Sequence, residues 1–266
     1  FQALVNALTS ASLGMISQYI GSKSYKEASI FASRFFTLAF LSGGALSVIL
    51  LMFRHSIFTI ILSTPLEIFD YVMAYSGVIA FDVFFNYIAL MYTTILQSIG
   101  DTRSPAAVNG FAVIVNIVLD PFLVLGIGPF PRLGVVGASL TDVMGKIISI
   151  VALVYVLRKS YPELKVRFTR KVNVEWICLV LRIGLPILTL GLMNGFAFLM
   201  QLKLINMLGV VTATAFSIGF VVFDIVDVVL WGLSGAPAIM SVRALERKNQ
   251  REQKRLPGRQ PCSYFF

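Results

Sequence analysis

The sequence predicts an all-α fold, a polytopic membrane helix bundle of about seven transmembrane helices. Hydrophobic residues fill 57% of the 266 positions against 13% charged, and the mean hydropathy is +0.84, well outside the balance of a soluble domain. The apolar residues come in runs of roughly 20 or more, the length that crosses a hydrocarbon core as a helix. Basic residues gather between those runs, dense in one connection and sparse in the next, which is a mark of membrane topology.

The first run, FQALVNALTSASLGMISQYI, carries no charge, and its small side chains allow close helix contact. GSKSYKE breaks it, and a second span is expected over about residues 31–53, closed by Arg54 and His55. Ser56 to Thr64 is too short to cross and is expected to lie along the interface. Pro65 suits the start of a third helix, with Glu67 and Asp70 in its first turn, running to Ser98. IGDTRSP supplies turn chemistry before a fourth span from Pro105 to Leu125, and IGPFPRLG leads into a fifth from Val135 to Leu157. The basic stretch RKSYPELKVRFTRK separates that helix from a sixth, Trp176 to Met207, which has Gly184 and Pro186 near its start; a seventh is expected from LGVV to about Met240. Past Val242 the composition turns too polar to span. SQYIGSKSYKEA and SVRALERKNQRE occupy similar places after the first and seventh spans, which reads either as a weak internal repeat or as chance similarity.

Lys23, Lys26, Arg34, Arg103, the segment Arg158–Lys171 and the basic tail fall on one side of this topology, and only Arg54 and Arg132 on the other. The positive-inside rule therefore places the basic loops and the C-terminal tail in the cytoplasm of a multi-pass cell-membrane protein. The net charge of +9 is thus topological, and no nucleic-acid partner is expected, because a binding groove needs basic residues interleaved with aromatics on one soluble face. One His and two Cys, Cys178 and Cys262, offer no zinc or disulfide framework and no hydrolytic constellation, so neither an enzyme nor a cofactor is expected. The chain opens inside an apolar run without an initiator Met, and a missing N-terminus is expected.

Chemistry is carried by the polar residues inside spans. Asp120 is the one charge in the fourth span, and Asn116, four residues earlier, projects from the same helix face. An ionised Asp at a bilayer centre costs on the order of 2.5–3.5 kcal/mol, so such groups face a bundle interior or a cavity. The pair either holds a proton or cation through its oxygens or bonds to neighbouring helices as glue. Asp82 in the third span raises the same question, as do Asp224 and Asp227, which share a face in the seventh. Asp142 and Lys146 have the spacing of an intrahelical ion pair. Arg182 and Lys203 are placed to snorkel, Trp176 to anchor at the interface, and the cluster Phe31, Phe35, Phe36, Phe81, Phe84, Phe85 and Tyr87 to serve packing more readily than ligand contact.

Residues 97–141, QSIGDTRSPAAVNGFAVIVNIVLDPFLVLGIGPFPRLGVVGASLTD, resemble the signature region of the multidrug and toxic compound extrusion (MATE) family. GDTRSP, then NIVLDP with its Asn-x-x-x-Asp pair, then LGVVGAS come in the family order. SQYIGSKSYKEA looks like the end of the family's second helix and RIGLPILTLGLMNGF like the start of its seventh. The resemblance implies family helices two through six in residues 1–157, an N-lobe complete but for its first helix, a cytoplasmic linker at 158–173, and the first two C-lobe helices at 174–241. The tail, 242–266, departs from the family and looks like out-of-frame sequence. The implied activity is secondary antiport: export of organic, often cationic, compounds in exchange for H+ or Na+, by alternating access. Asn116 and Asp120 match the family's N-lobe cation site, and Asn194 stands where some members carry a Glu. The lipid bilayer and small organic substrates are the implied partners, with the missing helices needed for a complete transporter. Two other readings stand beside this one: a non-transporting truncated fragment, or a related lipid-linked sugar flippase, which the few intramembrane bases disfavour.

Overall fold

The computed structural model describes residues 1–22, 24–127, 131–169, 174–227 and 230, with the backbone alone at 174 and 175. Among the described residues every regular element is helical: α1 (Gln2–Gly21), α2 (Tyr25–Ser56), α3 (Phe69–Ser98), α4 (Arg103–Leu125), α5 (Val135–Ser160), α6 (Val174–Met207) and α7 (Val210–Asp227). The chain forms two compact units, Phe1–Val210 and Val211–Phe266. Of the second, α7 is described; its Phe216 and Phe220 rings meet at 5.8 Å one turn apart. The rest of the expected seventh span, the tail and the second half of the internal repeat lie outside the described residues.

Six of these helices are long and apolar enough to cross a membrane, and α1 is not among them. Gln2, Asn6, Thr9, Ser12, Ser17 and Gln18 dilute its hydropathy. The hydroxyls of Thr9, Ser12 and Ser17 bond back to carbonyls of Val5, Thr9 and Gly14, so these polar groups are satisfied without water. The helix packs on α2, α3 and α6 together, with Val5, Leu8, Ala11, Met15 and Ile16 buried. Close approach follows from small residues: a Cβ at Gly191 would lie 2.6 Å from that of Ala3.

Within this first unit α2 packs on α3, α3 on α5, and α5 on α4. The expected interfacial segment at Ser56–Thr64 is instead a continuation of α2, whose last turn widens to a π-helix over Ile57–Ile61. Nothing in IFTII breaks a helix; the chain turns only at Ser63, with φ of 48°, before Pro65. The released carbonyls are met from α6, where Asn206 donates to Leu62 at 2.9 Å and Lys203 to Ile60 at 3.3 Å. Lys203 thus caps a helix end where snorkelling was expected. Tyr25–Ile61 is 37 residues, about 55 Å at the helical rise, so it overhangs a ~30 Å hydrocarbon core.

The aromatic cluster consolidates this packing. Phe31 stacks on Tyr19 at 4.5 Å, Phe36 meets Tyr92 at 5.4 Å, and Phe84 meets Phe85 at 5.4 Å. The buried Tyr87 donates its hydroxyl to the Phe1 carbonyl at 2.8 Å. Trp176, expected at the interface, is turned inward and only 5% exposed, because its ring packs edge-on to Phe35 at 5.0 Å and under the Arg34 guanidinium at 5.9 Å.

Candidate functional site: a polar seam between α3, α4 and α5

The α4–α5 pair is brought together by small residues. On α5, Gly137, Thr141 and Gly145 recur at four-residue spacing and share a face. A Cβ at Gly137 would lie 2.6 Å from the Leu123 carbonyl oxygen, and one at Gly145 3.6 Å from that of Ala112. The connection is short because α4 ends at Gly126 in the left-handed region, φ 71°, where glycine alone is unstrained. Leu133 and Gly134 then donate their N–H groups to the terminal carbonyls of Leu123 and Val124, at 3.0 and 3.2 Å.

This approach decides what the intramembrane polar groups meet. Asn116 donates its amide to Asp142 at 2.8 Å. Thr141 donates its hydroxyl to Asp120 and also lies 2.7 Å from the Ala138 carbonyl; with one proton, it serves one acceptor at a time. Asn116 and Asp120 therefore each have their own partner on α5. Asp142 is held by that amide, and among the described residues it forms no ion pair with Lys146, contrary to the expectation from spacing. A cross-helix amide at hydrogen-bond distance outcompetes the flexible i,i+4 contact, which is worth only a few tenths of a kcal/mol. Pro121, inside α4, has no N–H to give the Ile117 carbonyl, so backbone as well as side-chain oxygen is available at this level.

Asn116 and Asp142 open onto a cleft of about 330 Å³, which Asn86, Thr93, Asn109 and Lys146 also line. Asn109 donates to Thr93 at 3.4 Å. Asp82 on α3 lies within the electrostatic reach of Lys146 and Asp142, and one of its carboxylate oxygens is buried without a hydrogen-bond partner. The structure thus gathers Asn116, Asp120, Asp142, Lys146 and Asp82 along one seam. Asn194 is exposed on α6; in the second unit Asp224 is exposed and Asp227 half-buried. Sequence reasoning missed Thr141 and Asn109. The signals were present: Thr141 sits between two glycines at helical spacing, and Asn109 precedes Asn116 by seven residues, two turns along the same face.

The MatE family model matches residues 1–122. Among curated proteins, "Probable multidrug resistance protein YoeA" of Bacillus subtilis (strain 168) is 29% identical over 180 residues, which is 65% of this chain and 38% of that protein. A "FAD transporter" of Shewanella oneidensis is 33% identical over 157 residues, 58% of this chain and 33% of its own length. Among solved structures, the Vibrio cholerae MATE transporter VcmN in its bent form aligns with a TM-score of 0.66 at 16% identity, covering 82% of this chain and 48% of that one. An inward-facing multidrug resistance MATE transporter aligns with a TM-score of 0.61 at 24% identity, covering 70% and 42%. At these identities the structural likeness establishes the fold. The chain spans well under half the length of the curated relatives it matches.

Proposed function

The chain belongs to the multidrug and toxic compound extrusion family, and on that premise we propose that it serves secondary antiport, moving small organic compounds out in exchange for H+ or Na+. The observation that carries this reading is the intramembrane seam in which Asp120 and Asn116 of α4 are bonded across to Thr141 and Asp142 of α5.

A coupling ion needs a site whose bonding changes when the ion arrives. With Asp120 ionised, the Thr141 proton points to it. When Asp120 takes up a proton, its new O–H donates to the Thr141 oxygen, and the Thr141 proton turns to the Ala138 carbonyl 2.7 Å away. Sodium would instead take the Asp120, Thr141 and Asn116 oxygens as hard ligands. Either event cancels a charge that is costly in low dielectric, and so biases the α4–α5 packing and the affinity of the cleft for an organic solute. In this reading residues 1–157 form an N-lobe, 158–173 a cytoplasmic linker and 174–241 the start of a C-lobe, with the basic loops inside. Asp82, Asn194, Asp224 and Asp227 would be cavity groups. Relatives of this fold have been solved in inward-facing and outward-facing conformations, in keeping with alternating access.

In proteoliposomes carrying an imposed pH or Na+ gradient, the protein is expected to drive ethidium transport, and Asp120→Asn to lower the initial rate by at least about tenfold, the loss of one coupling group. An undiminished rate in a variant of unchanged helicity would overturn the assignment of Asp120, and gradient-independent flux in the wild type would overturn antiport itself.

A further inference from the structure

Between the first turns of α2 and the segment that follows α5 lies a groove of about 900 Å³, whose lining includes Lys26, Arg34, Lys165 and Arg167 but, among the described residues, only one acid, Glu163. How the groove is made explains its charge. Ser29, Ser33 and Thr37 stand four residues apart on α2, and their hydroxyl oxygens accept the backbone N–H groups of Lys165 at 2.7 Å, Arg167 at 3.0 Å and Thr169 at 3.0 Å. Four helical residues rise about 6 Å and two extended residues about 6.6 Å, so a straight segment can lie along the helix in register. Alternate side chains then take opposite directions: Leu164 is buried at 4% exposure and Val166 packs on the core, while Lys165 and Arg167 are exposed. Residues 164–167 thus form an extended, amphipathic segment laid along a helix.

Among the described residues none of Lys26, Arg34, Lys165 and Arg167 forms an ion pair with Glu163 or any other acid. Arg34 is held by rings instead, 5.4 Å from the Phe31 centroid and 5.9 Å from that of Trp176, with its Nε buried and unpartnered. An apolar wall adjoins the basic floor: Ile30 and Phe168 line the groove, and Phe168 meets Phe40 edge-on at 6.0 Å. Leu41 and Val48, exposed at 56% and 54%, lie one above the other on α2 beyond Thr37, where the 164–169 segment crosses the helix, and carry the exposed apolar surface into the span.

We propose that this groove binds the phosphodiester head group of an anionic phospholipid, with the acyl chains lying against the exposed Phe168 and against Leu41 and Val48 of α2. A cluster of cations that form no ion pair among the described residues, at the end of a long span and next to exposed apolar surface, matches a charged head joined to hydrocarbon tails. A free phosphate or a nucleotide would use the basic floor and leave the apolar wall idle. The site binds whether or not the protein transports, so its test is independent of the antiport reading.

Purified protein in an uncharged detergent is titrated with phosphatidylglycerol, phosphatidylcholine and inorganic phosphate, with bound lipid read by native mass spectrometry. Phosphatidylglycerol is expected to bind at least about tenfold more tightly than phosphatidylcholine, and K165Q/R167Q to weaken it about 30-fold, from roughly 1 kcal/mol per cation. Glu163→Gln is expected to tighten it, and Arg132→Gln, on a different connection, to leave it unchanged. Three outcomes would each overturn the proposal: equal retention of the two lipids, displacement of phosphatidylglycerol by millimolar phosphate, or a loss in Arg132→Gln as large as that in K165Q/R167Q. The Glu163→Gln and Arg132→Gln arms keep the result readable if the double variant misfolds.

Discussion

Asp101 lies in the turn between α3 and α4 and accepts the Ser104 N–H at 3.0 Å and the Tyr161 hydroxyl at 3.3 Å. It therefore caps the first turn of α4 and ties it to the end of α5. Burial alone would raise its carboxyl, but the bonds from Ser104, Tyr161 and the Arg103 backbone outweigh that and hold it below the ordinary carboxylate range. Burial, and then the Asp101 charge, push the Tyr161 phenol up. A depressed carboxyl contributes stability that is present above its unfolded value of about 4 and is lost as pH falls through the lower folded value. Asp101→Ala is expected to cost about 1 kcal/mol at neutral pH, with the gap to wild type closing as thermal melts are taken to acid; a gap that stays constant with pH would contradict the ionised cap. Asp120 and Asn116 could be found from the residues because a lone acid in an apolar run is visible locally. Their partners could not, since Thr141 and Asp142 lie on another helix and are chosen by its rotation.

At the scale of elements, the α4–α5 contact rests on Gly137, where any side chain meets the Leu123 carbonyl. Gly137→Val is expected to destabilise the protein by about 1–3 kcal/mol through overpacking. Gly110→Ala on α4, with nothing within 4 Å of the added carbon, should be neutral or stabilising by up to about 1 kcal/mol. Comparing the two melting temperatures in detergent checks this, and equal shifts would deny that close approach matters. The helices α3 to α6 were legible because turn residues and apolar length bound them. The extension of α2 past Ser56 was misread from segment length alone, and the 164–169 segment was read as a polar loop. Its period-two alternation was visible, but a strand signal without a second strand points to no partner, and the hydroxyl line on α2 emerges only when helix rise and strand rise are compared.

For the whole molecule, one crossing helix, α5, separates Arg132 from Glu163. In a background with Cys178 and Cys262 replaced by Ser, Arg132→Cys and Glu163→Cys are expected to react with a membrane-impermeant maleimide from opposite faces of the membrane, with Glu163→Cys on the cytoplasmic side. Labelling from the same face would remove α5 from the spans, and an exchange of faces would reverse the proposed orientation. By itself the sequence determined the solvent of this protein, the extent of most of its spans, its family resemblance and the location of Asp120 and Asn116. The spans and the lone acid follow from residues within about twenty positions of one another, because a bilayer tests hydropathy one segment at a time, while the resemblance rests on motifs whose order along the chain needs no contact between them. Tertiary structure alone decided that α1 packs against three neighbours, that Thr141 serves Asp120 and Asp142 serves Asn116, and that the 164–169 segment runs along α2. Those pairings join positions far apart in the chain, Ser29 with Lys165 and Ala3 with Gly191 among them, and they depend on which helix faces small residues allow to touch, a complementarity of two surfaces that neither segment carries alone.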